Sequence, residues 1–213
     1  MSPSGSPGEL RGWIERHLDP LDGAPPATAA SDFDLAPDAF PDAPAELTPA
    51  AVLVGLIERP AGYSVLLTRR ADTLRRHTGQ IALPGGRCDP GETPWTTALR
   101  EAHEEVGLAP DYVSVAGLSS PYRTGTGYLV TPVVGFIQPG FSLTPNPAEV
   151  ADIFETPFGF LMDPVNHERH ERQGPDGQLR RFYAMTHEDR FIWGATAGML
   201  RALYERLYGA AVA

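Results

Sequence analysis

The sequence predicts an α/β fold, and two kinds of pattern in its 213 residues support this class. Short apolar runs rich in β-branched residues recur between turn-forming residues, which is typical of strands. Two longer segments, one central and one near the end of the chain, repeat apolar residues three and four positions apart, which is typical of amphipathic helices. Strands interspersed with such helices indicate a sheet covered by helices.

The first 48 residues are predicted to form a helix and an extended arm ahead of a domain at residues 49–213. Residues 8–18 place apolar side chains on one helical face. Residues 19–48 are rich in Pro, Ala and Asp, a composition typical of linkers and surface arms. We expect the apolar side chains of this arm to attach it to the body or to a second copy in a homodimer: Phe33, Leu35 and Phe40.

Within the domain, several segments have the composition of strands. They are residues 51–57, 63–68, 112–118, 128–137, 168–173 and 179–186. Two pairs of them are separated only by short turn sequences, residues 58–62 and 174–177, and are therefore predicted as hairpins. The last predicted element is an amphipathic helix at about residues 194–207.

The central helix has recognisable ends. Thr93 is a suitable N-cap, Pro94 suits the first helical position, and Gly107 suits a left-handed stop. Between these ends an apolar stripe is expected to face a core: Trp95, Ala98, Leu99, Ala102 and Val106.

Three carboxylates of this helix carry chemical information. Glu101, Glu104 and Glu105 lie three and four residues apart, so we expect them near one face, on the exposed side of the helix. Like charges at this spacing repel by roughly 0.2–0.5 kcal/mol per pair. A hard divalent cation such as Mg²⁺, which takes oxygen ligands, would relieve the repulsion. The alternative is an acidic face that contacts only solvent.

The spacing around these glutamates resembles the Nudix box. Gly86 is followed after five residues by Glu92 and after seven more by the run Arg100 to Leu108, which includes Gly107. The one departure is Ala102, a small residue where the pattern has an aliphatic one. The resemblance implies an α/β/α sandwich around a mixed β-sheet, which periodicity alone does not show.

The resemblance also implies roles for individual residues. Glu101, Glu104 and Glu105 would hold divalent cations, Mg²⁺ or Mn²⁺, and the Gly86 carbonyl would face a metal. Arg100 and Glu92 would pair and fix the preceding loop against the helix. The implied reaction is hydrolysis of a nucleoside diphosphate linked to another moiety.

The box does not identify the general base, which could be a helical glutamate or a carboxylate of a distant loop. Glu149 is our candidate for that loop carboxylate, as a metal ligand or as the base. The alternative for Glu149 is a solvated side chain. His103 lies on the helix outside the motif positions and is predicted to be a surface residue.

Charge and composition limit the classes of molecule that the protein is expected to bind. The net charge of −10 argues against nonspecific binding to nucleic acid or to an anionic membrane. No apolar run approaches the ~20 residues of a membrane span. Cys88 is the single cysteine and no secretory signal is evident, which predicts a cytoplasmic protein without disulfides. An anionic substrate then needs a local basic patch, and one precedes the box: Arg69, Arg70, Arg75, Arg76 and His77.

The basic segment also indicates a substrate. Residues 66–71 read Leu-Leu-Thr-Arg-Arg-Ala, followed by Arg75, Gly79 and residues 83–86, Leu-Pro-Gly-Gly. This closely resembles the motif of the coenzyme A (CoA) pyrophosphatase branch of the Nudix family, with Leu83 where that motif has Phe. The resemblance implies CoA or acyl-CoA as substrate.

Physical reasoning about the ligand is consistent with that substrate. CoA carries a 3′-phosphate in addition to its diphosphate, and arginine binds phosphates through charge-assisted hydrogen bonds. Arg70 and Arg75 are the predicted donors. Arg69 and Arg76 either bind the substrate as well or belong to a solvated turn. Tyr122 or Tyr128 would stack on adenine, unless their segment is a plain turn.

Three other interpretations are compatible with the fold. A Nudix hydrolase could act on another nucleoside diphosphate derivative, such as ADP-ribose or NADH. A Nudix-like binding module is disfavoured because all three box glutamates are present. An isopentenyl diphosphate isomerase is disfavoured because the single cysteine, Cys88, lies inside the box.

Overall fold

In the computed structural model, the described residues are 6–22, 29–31, 33–35, 46–71, 79–174, 177 and 179–209. The predictions made for Phe40, Arg75, Arg76 and His77 fall outside these residues. The helices among them are α1 (Pro7–His17), α2 (Pro94–Val106), α3 (Phe158–Leu161) and α4 (Ala195–Tyr208). The strands are β1 (Ala30–Ser31), β2 (Thr48–Arg59), β3 (Gly62–Arg70), β4 (Ile81–Ala82), β5 (Gly85–Arg87), β6 (Val113–Leu118), β7 (Tyr122–Arg123), β8 (Tyr128–Ile137), β9 (Val150–Pro157), β10 (Glu168–Gln173), β11 (Leu179–His187) and β12 (Arg190–Trp193).

Nine of the strands form one mixed sheet, and the other three form a small antiparallel sheet. The large sheet runs β1-β7-β8-β2-β3-β4, with β5 on β2, β6 on β8 and β9 on β3. At its centre β2 pairs with β8 in parallel and with β3 in antiparallel. The small sheet has the order β10-β11-β12. The α/β class with a mixed sheet is therefore confirmed.

Strand β2 divides its side chains between two cores, because successive residues of a strand point to opposite faces. The even-numbered side chains from Ala50 to Leu56 enter one core, with residues of α1 and α4. Ala51, Leu53 and Ile57 enter the other core, against α2. The large sheet thus lies between helices on both faces, which makes the fold an α/β/α sandwich.

The predicted helices and hairpins are confirmed with small changes at their ends. β2 and β3 form the first hairpin, and β10 and β11 form the second. Strand β9 was not predicted, because Asp152 and Glu155 interrupt its apolar pattern. In the fold both carboxylates are paired with arginines, Asp152 with Arg190 at 2.7 Å and Glu155 with Arg59. Those ion pairs compensate the charges within a half-buried strand.

The N-terminal segment packs on the body of the molecule. Ile14 of α1 is completely buried, and β1 pairs in parallel with β7. The Arg123 guanidinium lies over the Phe33 ring, 4.9 Å from its centroid, so this part of the arm contacts the body of the same chain. A domain boundary at residue 48 stays a prediction. Among the described helices, none combines the length and apolar character that a bilayer span requires.

Candidate functional site

Helix α2 begins and ends at the predicted residues. The Thr96 N–H donates to the Thr93 hydroxyl, and the chain leaves the helix at Gly107 with φ of 71°. Ala98, Ala102 and Val106 are fully buried against the sheet. These contacts fix the rotation of the helix and therefore the direction of its glutamates.

Arg100 clamps the loop before the helix onto the helix. Its Nε and Nη2 donate to the two carboxylate oxygens of Glu92 at 2.8 and 2.9 Å, and Nη2 also donates to the Arg87 carbonyl at 3.2 Å. The Asp89 N–H and the Thr97 hydroxyl donate to Glu92 as well. The Arg100 hydrogen bonds, with these two, lower the pKa of Glu92 to about 2. The expected pairing of Arg100 with Glu92 is confirmed.

Gly86 allows strand β5 to approach the helix. A Cβ atom at this position would overlap the Glu101 carboxylate. The strand is held there by its pairing with β2, in which Gly86 lies opposite Ala51. A side chain at position 86 would therefore displace the Glu101 carboxylate from its present position. The interaction predicted for its carbonyl with a metal stays a prediction.

Glu105 is buried, which corrects the expectation that the carboxylates lie on the exposed side of the helix. Its side chain is 5% exposed and accepts a hydrogen bond from the Gly85 N–H at 3.1 Å. Burial raises the pKa of Glu105 to about 7, although the Gly85 hydrogen bond and the Arg70 charge, 4.0 Å away, both favour the carboxylate. Periodicity identified the helix face but not the β4–β5 segment that covers this part of it.

Glu101 and Glu104 share one nitrogen of Arg100. Arg100 Nη1 donates to Glu101 at 2.8 Å and to Glu104 at 3.1 Å. Burial raises the pKa of Glu101, with further contributions from the charges of Glu104 and Glu149, while Arg100 opposes the shift. Glu104 is half exposed. Across the described part of the chain, no three His, Cys, Asp or Glu side chains are grouped closely enough to hold a metal.

Glu149 lies in a loop attached to the end of α2. The N–H of Asn146 donates to the Glu105 carbonyl at 2.8 Å, and the N–H of Ala71 donates to the Glu149 carbonyl at 2.8 Å. The charge of Glu149 contributes to the raised pKa of both Glu101 and Glu105. The fold thus brings the predicted extra-box carboxylate to the box glutamates.

A cavity of about 490 Å³ opens beside this cluster, and we call it the Arg70 cavity. Arg70, Leu83 and Gly85 line it, so it contains residues from both ends of the segment that resembles the CoA motif. The Arg70 Nε is buried and has no hydrogen-bond partner among the described residues. Other lining residues come from the second half of the chain: Thr124, Gly125, Thr126, Tyr128, Val130, Arg180, Arg181, Phe182 and Trp193.

Two of the predicted substrate contacts do not line this cavity. Tyr122 is 4% exposed and packs in the core against α4, where a Cβ on Gly198 would overlap its ring. That position argues against stacking by Tyr122 and favours Tyr128, which is 39% exposed and lines the cavity. Arg69 lines a neighbouring cavity of about 520 Å³ with Asp152 and Arg190.

Sequence reasoning missed the contribution of the small sheet to the cavity. Arg180 and Phe182 on β11 and Trp193 on β12 all line it. The available signal was the basic and aromatic run at residues 180–183, which follows the predicted hairpin turn. No local rule connects that run with a helix about eighty residues earlier.

The NUDIX domain family model matches residues 47–173, more than half of the chain. The chain belongs to the Nudix family. The uncharacterized Nudix hydrolase NudL of Photorhabdus laumondii is 43% identical over 159 residues, covering 74% of this chain and 84% of that protein. The protein of the same name from Yersinia pestis is 41% identical over 161 residues, 74% of this chain and 79% of that protein. Among solved structures, the chain is similar to a Nudix hydrolase of M. smegmatis, RenU, with 24% identity, coverage of 78% and 87%, and a TM-score of 0.48.

As a Nudix hydrolase, the protein acts on the pyrophosphate bonds of nucleoside diphosphate derivatives. Nudix enzymes generally use divalent metal ions. The donor set on α2 fits a hard cation, since it consists of carboxylate oxygens. Burial raises the pKa of Glu101 and Glu105, and the charges of neighbouring glutamates add to the shift. Glu101 and Glu104 would have to turn from Arg100 toward the cation.

Proposed function

We propose that this Nudix hydrolase cleaves the diphosphate of CoA and its derivatives, giving 4′-phosphopantetheine and adenosine 3′,5′-bisphosphate. The observation that supports this most directly is the position of Arg70. Arg70, which belongs to the basic segment that resembles the CoA motif, lines the Arg70 cavity, and its Nη1 lies 4.0 Å from the Glu105 carboxylate. A buried guanidinium nitrogen without a partner among the described residues suits an anionic ligand.

The remaining described motif residues are consistent with the same site. Leu83 and Gly85 line the cavity beside Arg70. Leu83, the one departure from the motif, is 3% exposed and belongs to the core, so an apolar side chain is retained where the motif has a ring. The departure affects local packing and leaves the polar groups of the site unchanged.

In this proposal Glu101, Glu104 and Glu105, with the Gly86 carbonyl, would hold Mg²⁺ or Mn²⁺. Such a cation would neutralise diphosphate charge and lower the pKa of the attacking water. Water gives a proton to the general base and attacks one phosphorus, the bridging P–O bond breaks, and the bridging oxygen leaves with the other phosphorus. Arg70 binds diphosphate oxygens, and Arg100 keeps the loop and the helix together.

We assign Glu149 as the candidate general base. Its loop is hydrogen-bonded to the end of α2, and its charge acts on both Glu101 and Glu105. Unlike Glu101 and Glu104, it is not paired with Arg100. A Glu149→Gln variant that keeps normal kcat at all pH values would remove Glu149 from this role.

The test compares CoA with other nucleoside diphosphate derivatives. The enzyme is incubated with Mg²⁺ or Mn²⁺ and with CoA, an acyl-CoA, ADP-ribose or NADH, and products are separated by chromatography. We expect the highest kcat/KM with CoA or the acyl-CoA. Equal rates on ADP-ribose and CoA would contradict the CoA assignment and favour a pyrophosphatase that accepts a broader range of nucleoside diphosphate derivatives. Hydrolysis in H₂¹⁸O then shows which phosphorus water attacks.

A further inference from the structure

The small sheet has one face that contributes Met185 and Ile192 to the core and a second, outward face that is partly exposed, although Ala184 on that face is buried. Residues directly opposite each other on paired strands point to the same face. Met185 and Ile192 form such a pair and are fully buried in the core. Because side chains alternate along a strand, the residues next to this pair point to the outward face. Through the pairing of the three strands, that face carries Arg172, Arg180, His170, Phe182, Phe191 and Trp193.

The aromatic residues of this outward face form one group. The ring of Phe182 lies 5.4 Å from that of Trp193 and 6.0 Å from that of His170, measured between centroids. Phe191 is 42% exposed and its ring lies 5.6 Å from His170. Phe182 and Trp193 also line the Arg70 cavity, so this aromatic group continues from the cavity. Such a surface suits stacking with a nucleobase, since every base has a π-face.

Two arginines stand beside the aromatic group. Arg172 and Arg180 are directly opposite each other on β10 and β11, an arrangement that is destabilising for like charges. Within the described residues, Arg172 makes no hydrogen bond or ion pair. Arg180 lines the Arg70 cavity next to Phe182. Two neighbouring guanidinium groups can together donate charge-assisted hydrogen bonds to one phosphate. The acidic group of this face, Glu168, lies farther along β10 and is paired with His170 at 2.7 Å.

We propose that the outward face of the small sheet binds the adenosine 3′,5′-bisphosphate half of the substrate. The adenine stacks on Phe182 and Trp193, and the 3′-phosphate binds between Arg172 and Arg180. Arg70, at the inner end of the cavity near Glu105, binds the diphosphate. This inference rests on the proposed function, and it assigns recognition of the 3′-phosphate to a sheet outside both sequence motifs.

The test compares CoA with dephospho-CoA, which lacks the 3′-phosphate. We expect Arg180→Gln and Arg172→Gln each to lower kcat/KM for CoA by roughly 10- to 100-fold, the effect of a lost charged hydrogen bond, and to change dephospho-CoA much less. Arg169→Gln is the matched control, because Arg169 lies on β10 with its side chain on the opposite face, near Tyr183. It removes the same charge and should leave the CoA to dephospho-CoA ratio unchanged.

Trp193→Leu separates stacking from phosphate recognition. Because adenine is common to both compounds, this variant should lower kcat/KM for CoA and for dephospho-CoA by the same factor. Thermal unfolding of every variant checks that the fold is retained. If Arg180→Gln and Arg172→Gln lower kcat/KM equally for both substrates, or lower it no more than Arg169→Gln does, the 3′-phosphate does not bind between these arginines.

A binding measurement keeps this inference distinct from the proposed function. Calorimetric titration of the same variants with adenosine 3′,5′-bisphosphate and with AMP requires no turnover. If the wild-type enzyme fails to cleave CoA, the proposed function is wrong. Loss of adenosine 3′,5′-bisphosphate affinity in Arg180→Gln, with AMP affinity retained, would still support the site. Equal affinities of the wild type and Arg180→Gln for adenosine 3′,5′-bisphosphate would overturn it.

Discussion

At the scale of single residues, Arg100 organises the charges of α2. One guanidinium contacts Glu92, Glu101 and Glu104, while Glu105 is left to the Gly85 N–H and Arg70. The four glutamates therefore have different environments, and the pKa of Glu92, about 2, lies well below that of Glu105, about 7. Such divergence among neighbouring titratable groups is common at functional sites.

Glu105→Gln should lower kcat by roughly 100-fold or more, in the range seen when a catalytic carboxylate is lost. The substitution keeps the shape of the side chain but removes the charge that would bind a cation, so the dependence on Mg²⁺ concentration should weaken too. Steady-state rates across a metal titration measure both effects. His103→Gln, on the same helix but exposed, is the control. Near-normal turnover in Glu105→Gln would refute its role as a ligand.

Gly86→Ala should lower kcat, because the added methyl group would displace the Glu101 carboxylate. The cost in stability should be small, since the overlapping atoms are the far end of a flexible side chain. Gly8→Ala is the matched control, since nothing lies within 4 Å of a Cβ at that helical position. Denaturant unfolding and kcat with CoA test both variants. An unchanged kcat in Gly86→Ala would show that Glu101 can move without consequence.

At the scale of elements, local sequence signals were sufficient to predict the ends of helix α2 but not the segments that pack against it. Thr93, Pro94 and Gly107 fixed its ends, since capping depends on adjacent residues. The burial of Glu105 depends on the segment around Gly85 and on the loop at residues 144–149, which pack on the helix from elsewhere in the chain. Periodicity cannot show which segments cover a helix face.

The junction of α3, β10 and α4 should give the enzyme a pH-dependent stability. His167 is buried, its Nε2–H donates to the Leu161 carbonyl, and its Nδ1 accepts from Arg201. Burial lowers the pKa of His167 below 6.5, so the unfolded state binds a proton first as pH falls. The stabilisation is thus present above about pH 6.5 and is lost below it.

The raised pKa values of Glu101 and Glu105 act in the opposite direction over the same pH range, and they do so in both proteins. We therefore expect the difference in free energy of unfolding between the wild type and His167→Gln to decrease from about pH 7 to pH 5. Urea unfolding at several pH values measures the difference. His103→Gln, which removes an exposed histidine, should keep the wild-type slope. A wild-type slope retained in His167→Gln would mean that another group is responsible.

At the scale of the whole molecule, the site forms where distant parts of the chain meet. The Nudix box and the basic segment were evident from sequence because their residues are close together in the chain and have fixed spacing. The other wall of the Arg70 cavity, with Phe182 and Trp193, was not predicted, since it depends on how the small sheet packs beside β3 and β4. The chemistry of the site was therefore more predictable than the shape of its ligand cavity.

The N-terminal helix should be required for stability of the whole fold. Ile14 is completely buried in the core shared with α4, so Ile14→Ala should lower the free energy of unfolding by about 2–5 kcal/mol. Leu179→Ala, at a position 45% exposed, is the control. Denaturant unfolding measures both. A loss no larger than that of the control would show that α1 is dispensable and that the hydrolase domain is stable without it.

Strand β2 limits where the length of this chain can change. Its alternate residues fill different cores, so an insertion of one residue at its middle would exchange the two sets beyond that point. An insertion of two residues would return each side chain to its original core, but it would shift the pairing of β2 with β8 by two residues. Engineers who wish to attach a tag or a reporter inside this enzyme should therefore choose a surface turn, such as residues 60–61, and leave the central strand intact.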